Sequence, residues 1–125
     1  MSLARCEIMP FVATTQPEKA RSFYCDVLGL KVEEDSPFAL IVSGANATLR
    51  IQKVDTFKPL PFTALGWKVD DIKVAAQELQ SAGVIFERFE GMSQDDLGVW
   101  ASPSGAQVCW FKDPDGNVLS LTEFP

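Results

Sequence analysis

The strongest constraint on how this chain can fold is that one order of elements is written in it twice. The segment "EIMPFVATT" alternates as a strand, with Ile8, Pro10 and Val12 on one face and Met9, Phe11 and Ala13 on the other. "TTQPEKARSFYCDVLG" then reads as a helix: Thr15 and Glu18 fit a capping box, Pro17 sits in the first turn, and Gly29 supplies the left-handed stop. Strands are expected at "LKVEED", "FALIVS" and "NATLRIQKV", separated by Ser-Pro and Gly-Ala-Asn turn signals. After "DTFKPLP" the order returns: strand "FTALGWKV", a helix from Asp71 to Ala82 capped by Asp70 and stopped by Gly83, then strands near "VIFERF", "QVCWFK" and "NVLSLTEF". Two βαβββ units at a period of roughly 55 residues make an internal repeat. Module one is expected at about residues 4–53, a linker at 54–61 and module two at about 62–125, together forming a single domain of the α+β class.

The closing strand of each unit carries one chemical pattern. Leu49 and Ile51 alternate with Thr48, Arg50 and Gln52, and Leu119 and Leu121 alternate with Ser120 and Thr122. Each sheet should therefore have an apolar back under a helix and a mixed front, as suits curved mixed sheets whose fronts surround a cleft and whose helices lie outside. With 125 residues, such a domain buries enough surface to be stable without metal or disulfides.

The remaining sequence excludes several kinds of chemistry. No apolar run approaches the roughly 18 residues of a membrane span. Met1-Ser2-Leu3 is too short for a secretory leader, so a cytoplasmic location is expected. A net charge of −6 without a basic stripe argues against nucleic acid and suits a neutral or cationic ligand. Cys6, Cys25 and Cys109 are odd in number and lack C-x-x-C spacing, which argues for reduced thiols rather than disulfides or a thiolate zinc site. The chain has no histidine, hence no Ser-His-Asp or Cys-His pair. "FKDPDG" resembles part of a calcium loop, but Phe111 and Thr122 fall where carboxylates are required, so a hairpin turn is expected there. Glu33-Glu34-Asp35 and Asp95-Asp96 read as solvated turn charges, and Cys109 as a packed core thiol.

The paired layout, with "KARSFYCDVLGL" after the first strand and "WFKDPDGNVLSL" near the end, resembles the vicinal oxygen chelate superfamily of glyoxalase I, bleomycin-resistance proteins, fosfomycin-resistance enzymes and extradiol dioxygenases. In metal-dependent members, His, Glu or Gln ligands come from the first and closing strands of each unit. By motif alignment those positions here are Met9, Arg50 or Gln52, Ala64 or Thr63, and Ser120, a set that cannot hold a divalent ion. The resemblance thus implies a metal-free, small-molecule-binding protein with no cofactor, akin to the bleomycin-resistance branch, with a homodimer building each cleft. Antibiotic or metabolite sequestration is one use of such a cleft. The alternatives are a glyoxalase-like lyase, isomerase or dioxygenase, and a structural or regulatory dimer whose cleft is closed by side chains. The expected ligand-binding residues are Arg50, Gln52, Ser120, Thr122, Met9, Phe11, Trp100 and Trp110. For Arg50 the competing reading is an internal ion pair with a residue such as Glu7, and for the tryptophans it is core filling.

Overall fold

A computed structural model describes residues 2–125. The chain divides into two compact units, Met1–Lys58 and Pro59–Pro125. Each holds a four-stranded mixed sheet, and the α+β class expected from the repeat is what the chain adopts. Among the described residues no helix is long and apolar enough to cross a membrane.

The first unit runs β1 (Phe11–Thr14), α1 (Pro17–Arg21), β2 (Lys31–Asp35), β3 (Ala39–Ser43) and β4 (Thr48–Lys53), with sheet order β1-β4-β3-β2. β4 lies inside the sheet, parallel to β1 and antiparallel to β3, and aligns Phe11, Arg50 and Ile41 across three strands. Leu49 and Ile51 are buried while Arg50 is half-buried and Gln52 exposed, so the alternation read from the sequence places the two polar residues on the front. Met9, expected inside the first strand, precedes β1 and is exposed.

Two expectations for the first helix are corrected. The cap is Gln16 rather than a Thr15–Glu18 box. The Gln16 side chain makes no capping hydrogen bond, and Thr14 Oγ1 accepts from the Gln16 N–H at 3.0 Å, fixing the chain's exit from β1. The helix also does not continue in α geometry: Ser22–Val27 form a π-helical turn in which the Leu28 N–H donates to the Phe23 carbonyl. Tyr24, fully buried in this wider turn, meets Phe23 edge-on at 5.2 Å. Gly29 ends the segment at φ 79°, a conformation that only glycine adopts without strain.

The second unit comprises β5 (Thr63–Lys68), α2 (Ile72–Ser81), β6 (Trp100–Ala101), β7 (Gln107–Lys112) and β8 (Val118–Glu123), in the matching order β5-β8-β7-β6. Its helix is capped by Asp71, one residue later than expected, whose Oδ1 accepts from the Lys73 and Val74 N–H groups at 3.1 Å. Glu123 Oε1 takes the Ile72 N–H as well, which places Glu123 on the helix side of β8, away from Ser120. The hairpin between β7 and β8 is closed by Asp113, whose Oδ1 accepts from the Asp115 and Asn117 N–H groups while its Oδ2 accepts from Asn117 Nδ2. That carboxylate is committed to the turn, as the hairpin reading requires.

The strand expected at "VIFERF" does not form; the strand in that place of the repeat is the two-residue β6. A ladder-type bond from the expected strand remains, Glu87 N–H to the Trp110 carbonyl at 2.8 Å. Several of the segment's other polar groups are taken up by side chains. Gln94 Nε2 donates to the Glu87 and Gly98 carbonyls, its Oε1 accepts from the Phe89 N–H, and Arg88 donates to the Gln94 and Asp96 carbonyls. Residues 84–99 thus form a loop stitched by its own side chains rather than by a neighbouring strand.

Gly66 lies opposite Ser120, and a Cβ added to it would sit 2.6 Å from Ser120 Oγ. Gly66→Ala should therefore destabilise the protein by about 1–3 kcal/mol through overpacking. Adding Ser120→Ala, which removes the clashing oxygen, should recover most of that loss. Urea unfolding of both single variants and the double variant measures the coupling.

Candidate functional site

In the second unit, β8 is bonded on both sides, and its register assigns every neighbour to a face. Trp110, Ser120 and Gly66 form one row across the front; Trp100, Val108, Thr122 and Lys68 form the next. The back carries Trp67, Cys109, Phe111, Leu119 and Leu121, with Phe86 meeting Phe111 edge-on at 5.8 Å.

Trp110 Nε1 donates to Thr63 Oγ1 at 3.1 Å. Because β8 lies between β7 and β5, that bond requires the indole to lie across β8. Trp110 on one side and Gly66 on the other account for the burial of Ser120, which is only 7% exposed although it points to the front. Trp100 packs beside Trp110 with ring centroids 6.1 Å apart and a 35° tilt, and Phe89 meets Trp110 edge-on at 5.4 Å. Both indoles are half-buried and Phe89 is exposed, so the front of this sheet is an aromatic surface that solvent reaches. Thr122 is half-buried on the same face, and Lys68 lies 5.9 Å from the Phe124 ring.

In the first unit the front is smaller. The Arg50 guanidinium stacks over Phe11 at 5.9 Å, a cation–π contact, with Gln52 exposed beside it. Among the described residues no carboxylate lies within 4 Å of Arg50, so the competing reading of an internal ion pair, with a residue such as Glu7, is not realised. Two ion pairs of this unit meet elsewhere: Asp35 accepts from Lys53 and, at 2.8 Å, from Arg21, and these bonds hold its carboxyl below the usual range. They line a cavity of about 600 Å³ together with Gln16, Pro17, Glu18 and Lys19, and none of the expected ligand-binding residues borders it.

Structure therefore joins Trp100, Trp110, Ser120 and Thr122 on one face and Phe11, Arg50 and Gln52 on another, and leaves Met9 outside both sheets. Phe89 and Gln94 were missed. Their segment offered Gly91, Ser93, Asp95, Asp96 and Gly98 as loop signals, and these outweigh the short apolar pattern that suggested a strand.

Metal-ligand positions can be tested against this geometry. Thr63 Oγ1 already accepts from an indole, Ser120 is enclosed, and Arg50 brings a fixed positive charge. No group of three or more His, Cys, Asp or Glu residues suited to a metal occurs among the described residues. These donors do not fit a divalent ion. Nor is Cys109 an activated nucleophile: it is completely buried, and burial pushes its thiol up to about 12.

The two βαβββ sheets, parallel closing strands and terminal hairpin define a glyoxalase-type fold. A family model for the Glyoxalase/Bleomycin resistance protein/Dioxygenase superfamily matches residues 3–121, and the chain belongs to that superfamily. Among solved structures it is similar to a glyoxalase family protein from Bacillus anthracis, with a TM-score of 0.75 and 21% identity over 97% of this chain and 96% of that one. It is also similar to TnmS3, an antibiotic binding protein from Streptomyces sp. CB03234, with a TM-score of 0.70 and 25% identity over 95% of each chain. A lactoylglutathione lyase from Agrobacterium tumefaciens matches with a TM-score of 0.69 and 18% identity over 95% of this chain and 93% of that one. No curated protein matches significantly.

Thiol chemistry checks the site's packing directly. In the native protein an alkylating reagent should modify exposed Cys6 and leave Cys109 untouched until denaturant is added. Mass spectrometry of the digested protein reads the outcome at each position.

Proposed function

We propose that this protein binds a small planar aromatic molecule without a metal, and that it acts by holding the molecule rather than by converting it. The observation that carries this reading is the half-exposed pair Trp100 and Trp110 with Phe89 at its edge, on the sheet front whose metal-ligand position is occupied by enclosed Ser120. Flat aromatic side chains present large apolar area with little conformational entropy to lose, which suits them to stacking on a planar ring system. The net charge of −6 favours a neutral or cationic ligand over an anionic one. Thr122 offers the ligand a hydroxyl on the same face. On the other front, Arg50, stacked on Phe11 without a carboxylate partner, is suited to an oxygen-bearing group, with Gln52 beside it.

Sequestration of an aromatic antibiotic or metabolite is the use that this chemistry supports, and similarity to an antibiotic binding protein favours it over turnover. Membership of the superfamily also supports a homodimer in the cytoplasm as the working form. Light scattering should then report twice the 13.7 kDa chain mass.

A thermal-shift screen of planar aromatic compounds, with the cationic acridine proflavine as first probe, tests the reading. Trp110→Ala should weaken a compound that binds by about 5- to 150-fold, the range expected when about 1–3 kcal/mol of stacking on an aromatic side chain is lost. Added nickel, zinc or manganese should change neither the melting temperature nor the affinity. Metal-dependent stabilisation of the purified protein would refute the metal-free reading, and unaltered binding by Trp110→Ala would refute the aromatic site.

A further inference from the structure

We infer that Gln94 is the positioning residue of this aromatic surface: its amide group holds the loop 86–99 in the shape that sets Phe89 and Trp100 around Trp110. The inference deepens the proposed binding function and rests on it for its functional consequence, though not for its structural content.

Phe89 and Trp100 are each one link away from Gln94, and Trp110 is two links away through Glu87. Gln94 Oε1 accepts the Phe89 N–H at 2.8 Å, which fixes the backbone from which the Phe89 ring reaches Trp110. Gln94 Nε2 donates to the Glu87 carbonyl at 3.0 Å, and the N–H of Glu87 is bonded to the Trp110 carbonyl at 2.8 Å. Gln94 itself forms an antiparallel bridge with Trp100. Its remaining amide hydrogen goes to the Gly98 carbonyl at 2.8 Å, closing the far end of the loop. There Gly98 has φ 86°, and a Cβ added to it would lie 3.1 Å from Phe86 Cβ, so the loop is held closely against the back core where it ends.

Chemistry explains why glutamine is required. The site asks one side chain for an acceptor facing an N–H and two donors facing two carbonyl oxygens, spaced as a carboxamide spaces them. Asparagine is a methylene shorter. Glutamate keeps the acceptor but turns a second oxygen toward two carbonyls. Arg88, bonded to the Gln94 and Asp96 carbonyls, and Asp95, whose Oδ1 accepts from the Leu97 and Val99 N–H groups, stiffen the same loop. The width of the aromatic surface, and with it the size of ring system the surface accepts, is thereby set by a polar residue that need not touch the ligand.

Gln94→Glu and Gln94→Ala test this with two measurements. The first needs no ligand: the circular-dichroism exciton couplet of the paired indoles, assigned by its loss in Trp100→Phe, should shrink in both variants while helix and sheet content stay unchanged. The second is proflavine affinity, which should fall about tenfold in both as the surface loses its pre-set geometry. An unchanged couplet in both variants overturns the inference, as does wild-type behaviour of Gln94→Glu, since the two donors would then be dispensable. Global unfolding of both variants also overturns it, because Gln94 would then serve the fold rather than the aromatic surface. A reduced couplet sustains the inference even if wild-type protein fails to bind proflavine; that failure counts against the binding function alone.

Discussion

Everything on the two sheet fronts depends on the closing strand of each module being an interior strand. β4 and β8 are each bonded to the opening strand on one side and to the preceding strand on the other. A strand bonded along both edges cannot slip by one residue without moving every side chain to the wrong face. The alternation of Leu49 and Ile51 with Arg50 and Gln52, and of Leu119 and Leu121 with Ser120 and Thr122, is therefore locked as soon as the apolar residues find the back core. The polar positions come to the front as a consequence, with no local interaction needed to put them there.

That coupling explains which parts were legible in the sequence. Strict alternation revealed β4 and β8, short apolar runs bounded by turn signals revealed β3 and β7, and glycines at the helix ends marked Gly29 and Gly83 correctly as left-handed stops. Errors fell where a side chain, rather than the backbone pattern, decides the structure. Thr14 Oγ1 ties the Gln16 N–H at the start of α1, whose cap is Gln16, and Asp71 rather than Asp70 caps α2; adjacent residues with equal capping chemistry cannot be separated by pattern alone. Residues 84–89 have the composition of a strand but lie beside Gln94, whose side chain bonds the Glu87 carbonyl and the Phe89 N–H instead. Side-chain bonds of that kind leave no periodic trace.

The candidate site divides along the same line. Arg50 and Ser120 were placed on their faces by alternation, but their surroundings were not readable. Alternation does not choose between a loop carboxylate and an aromatic ring as the partner of Arg50, and only the structure pairs it with the Phe11 ring. Ser120 was expected to be an exposed polar contact and is enclosed, because Trp110 reaches two strands away to Thr63 and Gly66 allows close approach from the other side. Burial of a small hydroxyl under a large indole turns a would-be polar floor into an apolar one. A position that a metal-dependent relative would fill with a carboxylate thus becomes the support of an aromatic ring.

Comparison of the two modules shows how a repeat can acquire distinct chemistry without losing its fold. Both keep the interior closing strand and the helix behind it, which secure the back core. Their freedom lies in the strand farthest from the opening strand. In module one that strand is β2, five residues with a bulge between Val32 and Glu34, ending at Asp35 and its ion pairs to α1 and β4. In module two it has contracted to the two residues of β6, and the length released forms the loop carrying Phe89 and Gln94. An edge strand bears the smallest share of a sheet's hydrogen bonds, so shortening it costs the least and frees residues beside the sheet front. The loop remains ordered because Gln94, Arg88 and Asp95 supply the bonds that the lost ladder would have made. Its aromatic residue is consequently held at a defined angle to Trp110, rather than presented on a flexible tether whose ordering would oppose binding.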